Sequence, residues 1–344
     1  MRKAQSIIAA AAIVVATLAG APAANAESIS GSGSSYAGKM FAECVAGYTA
    51  DTVAYNPAGS STGKRDFTAG TTAFGASDSL YTSGKPEFAF TYVPAVAGPI
   101  AVAYNAPELR NFRLTPALIS DIFLGKIKKW NDPKIAKVNP GVKLPNQNFT
   151  VIYRKDGSGT TNNFANWLKQ TNKAAGWVQN DSWETATGNK AVGIGGDKSQ
   201  GVRAEIDKVK YSIGYLDLAD ALQAGFGMAA VQNGAGKFVK PSVATARNFL
   251  AAQKMTNFGV VNFNYNAKTG TAANNKATTN FYSMVLVAYA MAPTDAGTPA
   301  AKASRNFLKY VVNTCVPQKG AKLGYVAFSG SFLKTANAMI NKIK

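Results

Sequence analysis

The sequence predicts an α/β fold whose sheets are mostly parallel and flanked by helices. Short apolar, β-branched runs such as residues 149–153 and 212–216 alternate with segments that carry apolar residues at helical spacing. Glycine-rich turns separate the two kinds of segment, which is typical of repeated strand–helix units. In such sheets ligands bind outside the carboxyl ends of the strands, so we expect the function to reside in these turns.

The amino terminus has the pattern of a secretory signal peptide. Met1-Arg2-Lys3 is followed by an uncharged apolar stretch and then by Ala24-Asn25-Ala26, an A-x-A cleavage pattern. We therefore expect residues 1–26 to be removed on export. The residue directly after the expected cleavage site is Glu27 and not a cysteine, and no later uncharged run reaches the length of a membrane span.

The chain is strongly basic and contains no histidine. Its 344 residues include 37 Lys and Arg against 18 Asp and Glu, a formal net charge of +19 that favours an anionic ligand or an anionic surface as partner. The lysines are scattered and do not alternate with aromatic residues, so nucleic-acid binding is not expected. Without histidine, a Ser-His-Asp triad, a Cys-His dyad and an H-E-x-x-H site are excluded, and we expect no metal or other cofactor.

Cys44 and Cys315 are the two cysteines of the chain. In an exported protein they form either one disulfide or two buried free thiols, and the residues alone leave this choice open. Two cysteines without histidine do not make a Cys/His zinc site.

The most informative turn covers residues 154–160 (RKDGSGT), between a short apolar strand and a helix with one apolar face. Its glycines let the backbone approach a ligand, its hydroxyls suit a helix N-cap, and the helix start presents free N–H groups. Arg154 brings a planar charged fork that suits a tetrahedral oxyanion, and Asp156 could hold that guanidinium in place. The alternative is an ordinary glycine-rich turn with a surface ion pair.

Other segments have similar chemistry. Residues 31–36 (GSGSSY) and 57–65 (PAGSSTGKR) are small-residue turns before helices, Asp78 follows a short strand, and residues 193–201 form another glycine-rich turn. The second turn resembles a P-loop and a nucleophile elbow, but Arg65 stands where a P-loop has Ser or Thr and there is no histidine to act as base. If these turns meet at one edge of the sheet, they would form a cage of N–H and O–H donors for a compact oxyanion.

Six motifs, in this order along the chain, resemble the periplasmic phosphate-binding receptors of bacterial ABC-type phosphate importers. They are GSGSSY (31–36), AGSSTGK (58–64), FGASD (74–78), FLGKIKKWNDP (123–133), RKDGSGTTNNF (154–164) and SIGYLDLADAL (212–222). The resemblance implies a two-lobed, type II-like periplasmic-binding-protein fold with the ligand in the interlobe cleft. It implies a lobe I of residues 27–101 plus 286–344 and a lobe II of residues 102–285. Cys44 and Cys315 would then share a lobe, which favours the disulfide.

The resemblance also implies a function and a set of ligands. The chain would be a non-catalytic receptor that binds hydrogen phosphate with high affinity in the periplasm and delivers it to an inner-membrane ABC permease. It would need no cofactor, and we expect it to act as a monomer. By motif position the implied phosphate ligands are Ser35, the Tyr36 backbone N–H, Ser60, Asp78, Arg154, Ser158, Gly159 and Thr160, with Asp156 supporting Arg154.

Asp78 carries the expected selectivity. A carboxylate repels a dianion unless the ligand brings a proton to share, which hydrogen phosphate does at neutral pH and sulfate does not. Three alternatives stay open: a binding protein for another tetrahedral oxyanion, a phosphatase that uses the same cage, and a basic secreted or cell-surface protein of the same fold.

Overall fold

The structure, a computed structural model, describes residues 26–190 and 192–344 and confirms the α/β fold. The expected signal peptide lies outside the described residues except for Ala26. The strands are β1 (Ser28–Gly33), β2 (Thr52–Asn56), β3 (Phe74–Ser77), β4 (Phe90–Tyr104), β5 (Arg113–Leu114), β6 (Thr150–Arg154), β7 (Ile194–Gly196), β8 (Ser212–Asp217), β9 (Gly227–Met228), β10 (Ala230–Gln232), β11 (Phe238–Val239), β12 (Lys254–Met255), β13 (Val261–Asn262), β14 (Gly270–Thr271), β15 (Ala277–Thr278) and β16 (Val285–Pro293).

Helices pack against the main sheet. They are α1 (Gly38–Gly47), α2 (Ser60–Thr68), α3 (Pro116–Phe123), α4 (Pro133–Val138), α5 (Gly159–Thr171), α6 (Trp183–Thr187), α7 (Lys198–Lys208), α8 (Leu218–Gln223), α9 (Val243–Leu250), α10 (Pro299–Tyr310), α11 (Val316–Lys319) and α12 (Gly330–Ile340). None of the helices in the described residues has the length and apolar character that crossing a membrane requires.

One nine-stranded sheet runs through the molecule in the order β2-β1-β3-β16-β4-β8-β6-β7, with β9 beside β4. Strand β4 joins its two halves, because residues 90–99 pair with β16 and residues 100–104 pair with β8, both antiparallel. Outside these long strands the pairs β2-β1, β1-β3, β8-β6 and β6-β7 are parallel. We call the half around β1, β2, β3 and β16 lobe I and the half around β6, β7 and β8 lobe II.

An aromatic cluster in lobe II fixes the turn that follows β6. The ring of Phe164 on α5 stacks on Tyr215 of β8 with centroids 4.4 Å apart, and Trp183 stacks on the same tyrosine. The Tyr215 hydroxyl then accepts the N–H of Arg154 at 3.1 Å and lies 2.6 Å from the Thr161 hydroxyl. Packing of the lobe II core therefore sets the position of both ends of this turn.

A disulfide joins Cys44 on α1 to Cys315 just before α11, with Cα atoms 5.6 Å apart. Both residues are fully buried in the lobe I core. The bond confirms the pairing that the resemblance favours. It ties the helix after the first strand to the carboxyl-terminal helices of the same lobe, and the loop it closes includes all of lobe II.

Replacing both cysteines, Cys44→Ala with Cys315→Ala, is expected to lower the free energy of unfolding by about 2–4 kcal/mol. The cross-link spans 271 residues of sequence, so its loss frees a large amount of conformational entropy in the unfolded chain. The measurement is urea unfolding with and without a thiol reductant. Reductant should lower the midpoint of the unmodified protein and leave the double variant unchanged. An unmodified protein whose unfolding does not respond to full reduction would contradict this prediction.

Candidate functional site

Loops from both lobes meet at the carboxyl ends of the strands. The loops after β1, β2 and β3 come from lobe I, and the loops after β6 and β7 come from lobe II. Because neighbouring parallel strands end at one edge of a sheet, each lobe presents its loops to the cleft between the lobes. Four of these loops lead directly into helices, so the N-termini of α1, α2, α5 and α7 gather there.

Asp78, which follows β3, lies at the centre of the interlobe contact. Its side chain is buried, and one carboxylate oxygen accepts the Ser34 hydroxyl while the other accepts the Thr160 hydroxyl at 3.2 Å. Its own N–H donates to the Ser60 hydroxyl oxygen at 3.2 Å. Since Thr160 is on α5 of lobe II, this carboxylate links the two lobes.

The environment of Asp78 makes it a ready proton acceptor. Burial raises the pKa of Asp78 to about 6, although the hydrogen bond from Ser34, the charge of Arg154 and the hydrogen bond from Thr160 oppose that rise. A desolvated carboxylate gains more than an exposed one from sharing a proton with a ligand. Such a carboxylate would interact more favourably with an anion that carries a proton than with one that carries none.

Arg154, at the end of β6, is buried and held in one orientation. Its Nε donates to Asp156 Oδ1 at 2.7 Å and its Nη2 donates to Asp156 Oδ2 at 2.5 Å. Burial alone would raise the pKa of Asp156. The hydrogen bonds and charge of Arg154, together with the hydrogen bond from the Lys198 N–H, outweigh the effect of burial, so the pKa of Asp156 lies below its ordinary value. The pair uses Nε and Nη2, which leaves the Nη1 donors for another acceptor.

The start of α5 supplies further donors. The Ser158 hydroxyl oxygen caps the helix by accepting the Thr161 N–H at 3.2 Å, and the Ser158 N–H donates to the Asp181 carbonyl at 2.9 Å. The N–H groups of Gly159 and Thr160 are the first of the helix and have no acceptor within it. They point out of the helix start, and the Ser158 hydroxyl still has its own hydrogen to donate.

Two glycines let the lobes approach each other. A Cβ at Gly159 would lie 2.5 Å from the Ser60 hydroxyl oxygen and 2.8 Å from the Asp78 Cβ. A Cβ at Gly157 would lie 2.4 Å from the Ser61 hydroxyl oxygen. Any side chain at either position would hold the lobes apart, so these glycines are needed for the close approach rather than for an unusual backbone angle.

The first turn contributes Ser35 and Tyr36 in different ways. The Ser35 hydroxyl oxygen accepts the Ser199 N–H at 3.1 Å and lies 3.2 Å from the Ser199 hydroxyl, so it contacts the start of α7 across the cleft. The Tyr36 ring packs in the lobe I core, where its hydroxyl donates to the Pro99 carbonyl at 3.2 Å and its carbonyl accepts the Tyr325 hydroxyl. The Tyr36 side chain therefore contributes to the lobe I core and not to the cleft.

The structure thus brings the predicted site residues other than Tyr36 to the interlobe contact, namely Ser35, Ser60, Asp78, Arg154, Ser158, Gly159 and Thr160. It adds three residues that sequence reasoning missed. Ser34 lies inside the predicted first turn, where its neighbour Ser35 received the role of hydroxyl donor. Ser199 lies in the glycine-rich turn 193–201, which the sequence singles out without indicating a role. Asp181 lies in a loop with no recognisable motif, so nothing in the sequence indicates it.

Comparison with known proteins agrees with the geometry. A model of the PBP superfamily domain matches residues 19–314. The chain is 39% identical over 249 residues to the phosphate-binding protein PstS of Haemophilus influenzae, covering 69% of this chain and 71% of that relative. It is 37% identical over 265 residues to the phosphate-binding protein PstS of Xylella fastidiosa, covering 74% and 71%. These names describe binding proteins rather than enzymes.

Solved structures show the same two-lobed fold. A high affinity periplasmic phosphate-binding protein bound with phosphate superposes with a TM-score of 0.70 at 18% identity, over 90% of this chain and 93% of that one. A phosphate-binding protein from Stenotrophomonas maltophilia superposes with a TM-score of 0.63 at 17% identity, with the same coverage. The fold and the matched sequence together show that the chain belongs to the PstS family of phosphate-binding proteins, within the PBP superfamily.

Proposed function

We propose that this protein is a receptor that binds inorganic phosphate as hydrogen phosphate and delivers it to an ABC-type phosphate permease. The observation that carries the proposal is the meeting of Arg154, fixed by Asp156, with Asp78 in one buried cluster. The arginine offers a permanent positive charge and the aspartate offers a proton acceptor, which is the combination that a protonated oxyanion requires. The names of the PstS relatives support the same ligand.

The proposed ligand set is the one that the motifs imply. Arg154 Nη1, the hydroxyls and the free N–H groups would donate to phosphate oxygens, and Asp78 would accept the ligand's proton. Asp156 would act through Arg154. The remaining proposed donors are the hydroxyls of Ser35, Ser60, Ser158 and Thr160 and the backbone N–H groups of Tyr36 and Gly159.

We place the lobe boundaries within two residues of the points where the sheet changes partners. Lobe I would comprise residues 27–101 and 286–344, and lobe II residues 102–285. Two observations support these boundaries. Strand β4 changes its partner from β16 to β8 at residues 99–100, and β16 begins at residue 285. Opening about these two crossings would expose the cluster to solvent and admit the ligand.

The proposed receptor is non-catalytic, exported after removal of residues 1–26, periplasmic and monomeric, and it does not bind nucleic acid. Two carboxylates support a binding role, because the buried Asp78 accepts two hydroxyls and the partly buried Asp156 is paired with Arg154. The relatives that the chain matches are named as binding proteins, which supports the same role.

A calorimetric titration of ligand-stripped protein with phosphate and then with sulfate tests the proposal. We expect saturable one-to-one binding of phosphate at pH 8 and no heat with sulfate. Trp167, Trp177 and Trp183, all in lobe II, give a second signal by fluorescence. Equal binding of sulfate would favour the alternative of a general oxyanion receptor, and no phosphate heat would overturn the proposed function. Release of phosphate from a chromogenic ester would instead support the phosphatase alternative.

A further inference from the structure

A second group of interlobe contacts lies beside the Asp78 cluster and centres on Asp181. One carboxylate oxygen of Asp181, in lobe II, accepts three donors from lobe I: the Ser61 hydroxyl at 2.9 Å, the Lys64 ammonium at 2.9 Å and the Ser79 hydroxyl at 3.0 Å. The other oxygen accepts the Asn162 side-chain amide of α5 at 2.9 Å. A single side chain therefore receives donors from both lobes.

Each side of this contact is also held by hydrogen bonds within its own lobe. In lobe II, the Asp181 carbonyl accepts the Ser158 N–H at 2.9 Å, and Asn162 is itself held by the Gln179 side chain at 2.9 Å. In lobe I, Lys64 also donates to the Ser79 hydroxyl and to the Leu80 carbonyl. Because the groups are already oriented, little conformational freedom is lost when the lobes close.

The contact is also partly withdrawn from water. The Lys64 and Asp181 side chains are each 15% exposed, whereas the Lys319–Glu43 pair on the surface of lobe I is 39% and 48% exposed. A cavity of about 530 Å³ adjoins the contact and is lined by residues of both lobes, including Arg65, Tyr81 and Asn180. The ion pair therefore lies at the rim of the cleft, where water can rehydrate both charges once the lobes separate.

We propose that Asp181, with Ser61, Lys64 and Ser79, is an interlobe latch that stabilises the closed state and slows ligand release without touching the ligand; this rests on the proposed function. Contacts made only in the closed state raise the fraction of protein in that state, and the observed Kd falls in proportion. Because such contacts must break before the ligand leaves, their main effect is on the dissociation rate. The latch is a positioning device and not a part of the ligand cage.

The first test replaces Asp181 with asparagine, which preserves size and removes the charge. We expect the Kd for phosphate to rise about tenfold, mainly through faster dissociation in stopped-flow fluorescence, with the association rate changed less than twofold. Lys64→Met should have a similar effect, and the double variant should be little weaker than either single variant because both remove the same contact. Fully additive effects, or an unchanged dissociation rate, would overturn the latch.

The matched control is Glu43→Gln, which breaks an ion pair inside lobe I and should leave both rate constants unchanged. Small-angle scattering of the ligand-free proteins gives a readout that does not depend on phosphate. The Asp181→Asn variant should have a larger mean radius of gyration than the unmodified protein, and equal radii would count against the latch. If the unmodified protein binds no phosphate, the proposed function fails and the scattering alone decides on the latch.

Discussion

Replacing Arg154 with alanine is expected to weaken phosphate binding by about 10⁴-fold. The guanidinium is buried and fixed by two hydrogen bonds to Asp156, so it meets an anion without reorganisation and with little competing water. Its removal takes away a charge-assisted donor. It also leaves Asp156 unpaired in the same cluster, where its negative charge would repel the incoming anion.

Two further variants separate local from general effects of charge. Arg154→Lys keeps the charge but loses the planar fork that pairs with Asp156, so its affinity should lie between those of the unmodified protein and Arg154→Ala. Arg247→Ala removes one charge from the exposed surface of α9 and should leave the phosphate Kd unchanged. The measurement is calorimetric titration, with thermal melting to confirm folding. A folded Arg154→Ala variant whose Kd stays within tenfold of the original would contradict the proposed ligand set.

The turn at residues 154–160 could be predicted from the sequence because its chemistry is local. A β-branched strand, two glycines, a capping serine and an apolar helix face follow one another without interruption, and each restricts the same few backbone angles. Only one residue lies between Arg154 and Asp156, so the geometry of one strand end is enough to bring the two side chains together.

Asp181 and Lys64 show the limit of such reasoning. They are 117 residues apart, and no motif surrounds Asp181. Their contact depends on closure of one lobe on the other, which is set by the whole sheet and by the two glycines that permit close approach. A charged residue in an ordinary loop gives no sign of a partner in the other lobe.

Element boundaries also depended on tertiary contacts. The sequence predicts a strand over residues 281–290, but β16 begins at Val285. The backbone before Val285 forms hydrogen bonds outside the sheet, because the Tyr282 N–H donates to the Thr245 carbonyl. The sequence also predicts a helix over residues 301–312. After α10 the chain instead widens into a π-helical turn, Val311–Cys315, because Pro317 has no N–H and its ring crowds the preceding turn.

Replacing Asp78 with asparagine is expected to remove the discrimination between phosphate and sulfate, changing the ratio of their Kd values by about 10³- to 10⁴-fold. The carboxylate accepts the proton of hydrogen phosphate but repels sulfate, which has no proton to share. Asparagine carries no charge and can donate from its amide, so the repulsion disappears. Phosphate binding should weaken and sulfate binding should become measurable.

The pH dependence gives a second expectation from the same residue. Because the pKa of Asp78 is about 6, its side chain becomes protonated as the pH falls below that value. The unmodified protein should therefore begin to bind sulfate below about pH 6, whereas the Asp78→Asn variant should bind sulfate equally well across this range. Titrations with sulfate from pH 5 to pH 8 measure both. Asp207→Asn, an exposed position on α7, is the matched control and should behave like the unmodified protein.

In the Asp78→Asn variant, the free energy of unfolding without ligand should rise even though phosphate binding weakens. The folded pKa of about 6 exceeds the ordinary value of 3.8, so the folded state holds the proton more tightly than the unfolded state does. The resulting penalty is fully present above pH 6 and disappears as the pH falls toward 3.8. Asp78→Asn should therefore raise the free energy of unfolding by up to about 3 kcal/mol at pH 8 and by much less at pH 4. A variant destabilised at pH 8 would mean that the Ser34 and Thr160 hydrogen bonds outweigh the burial of the charge, and that Asp78 is held in place by the fold rather than by its ligand.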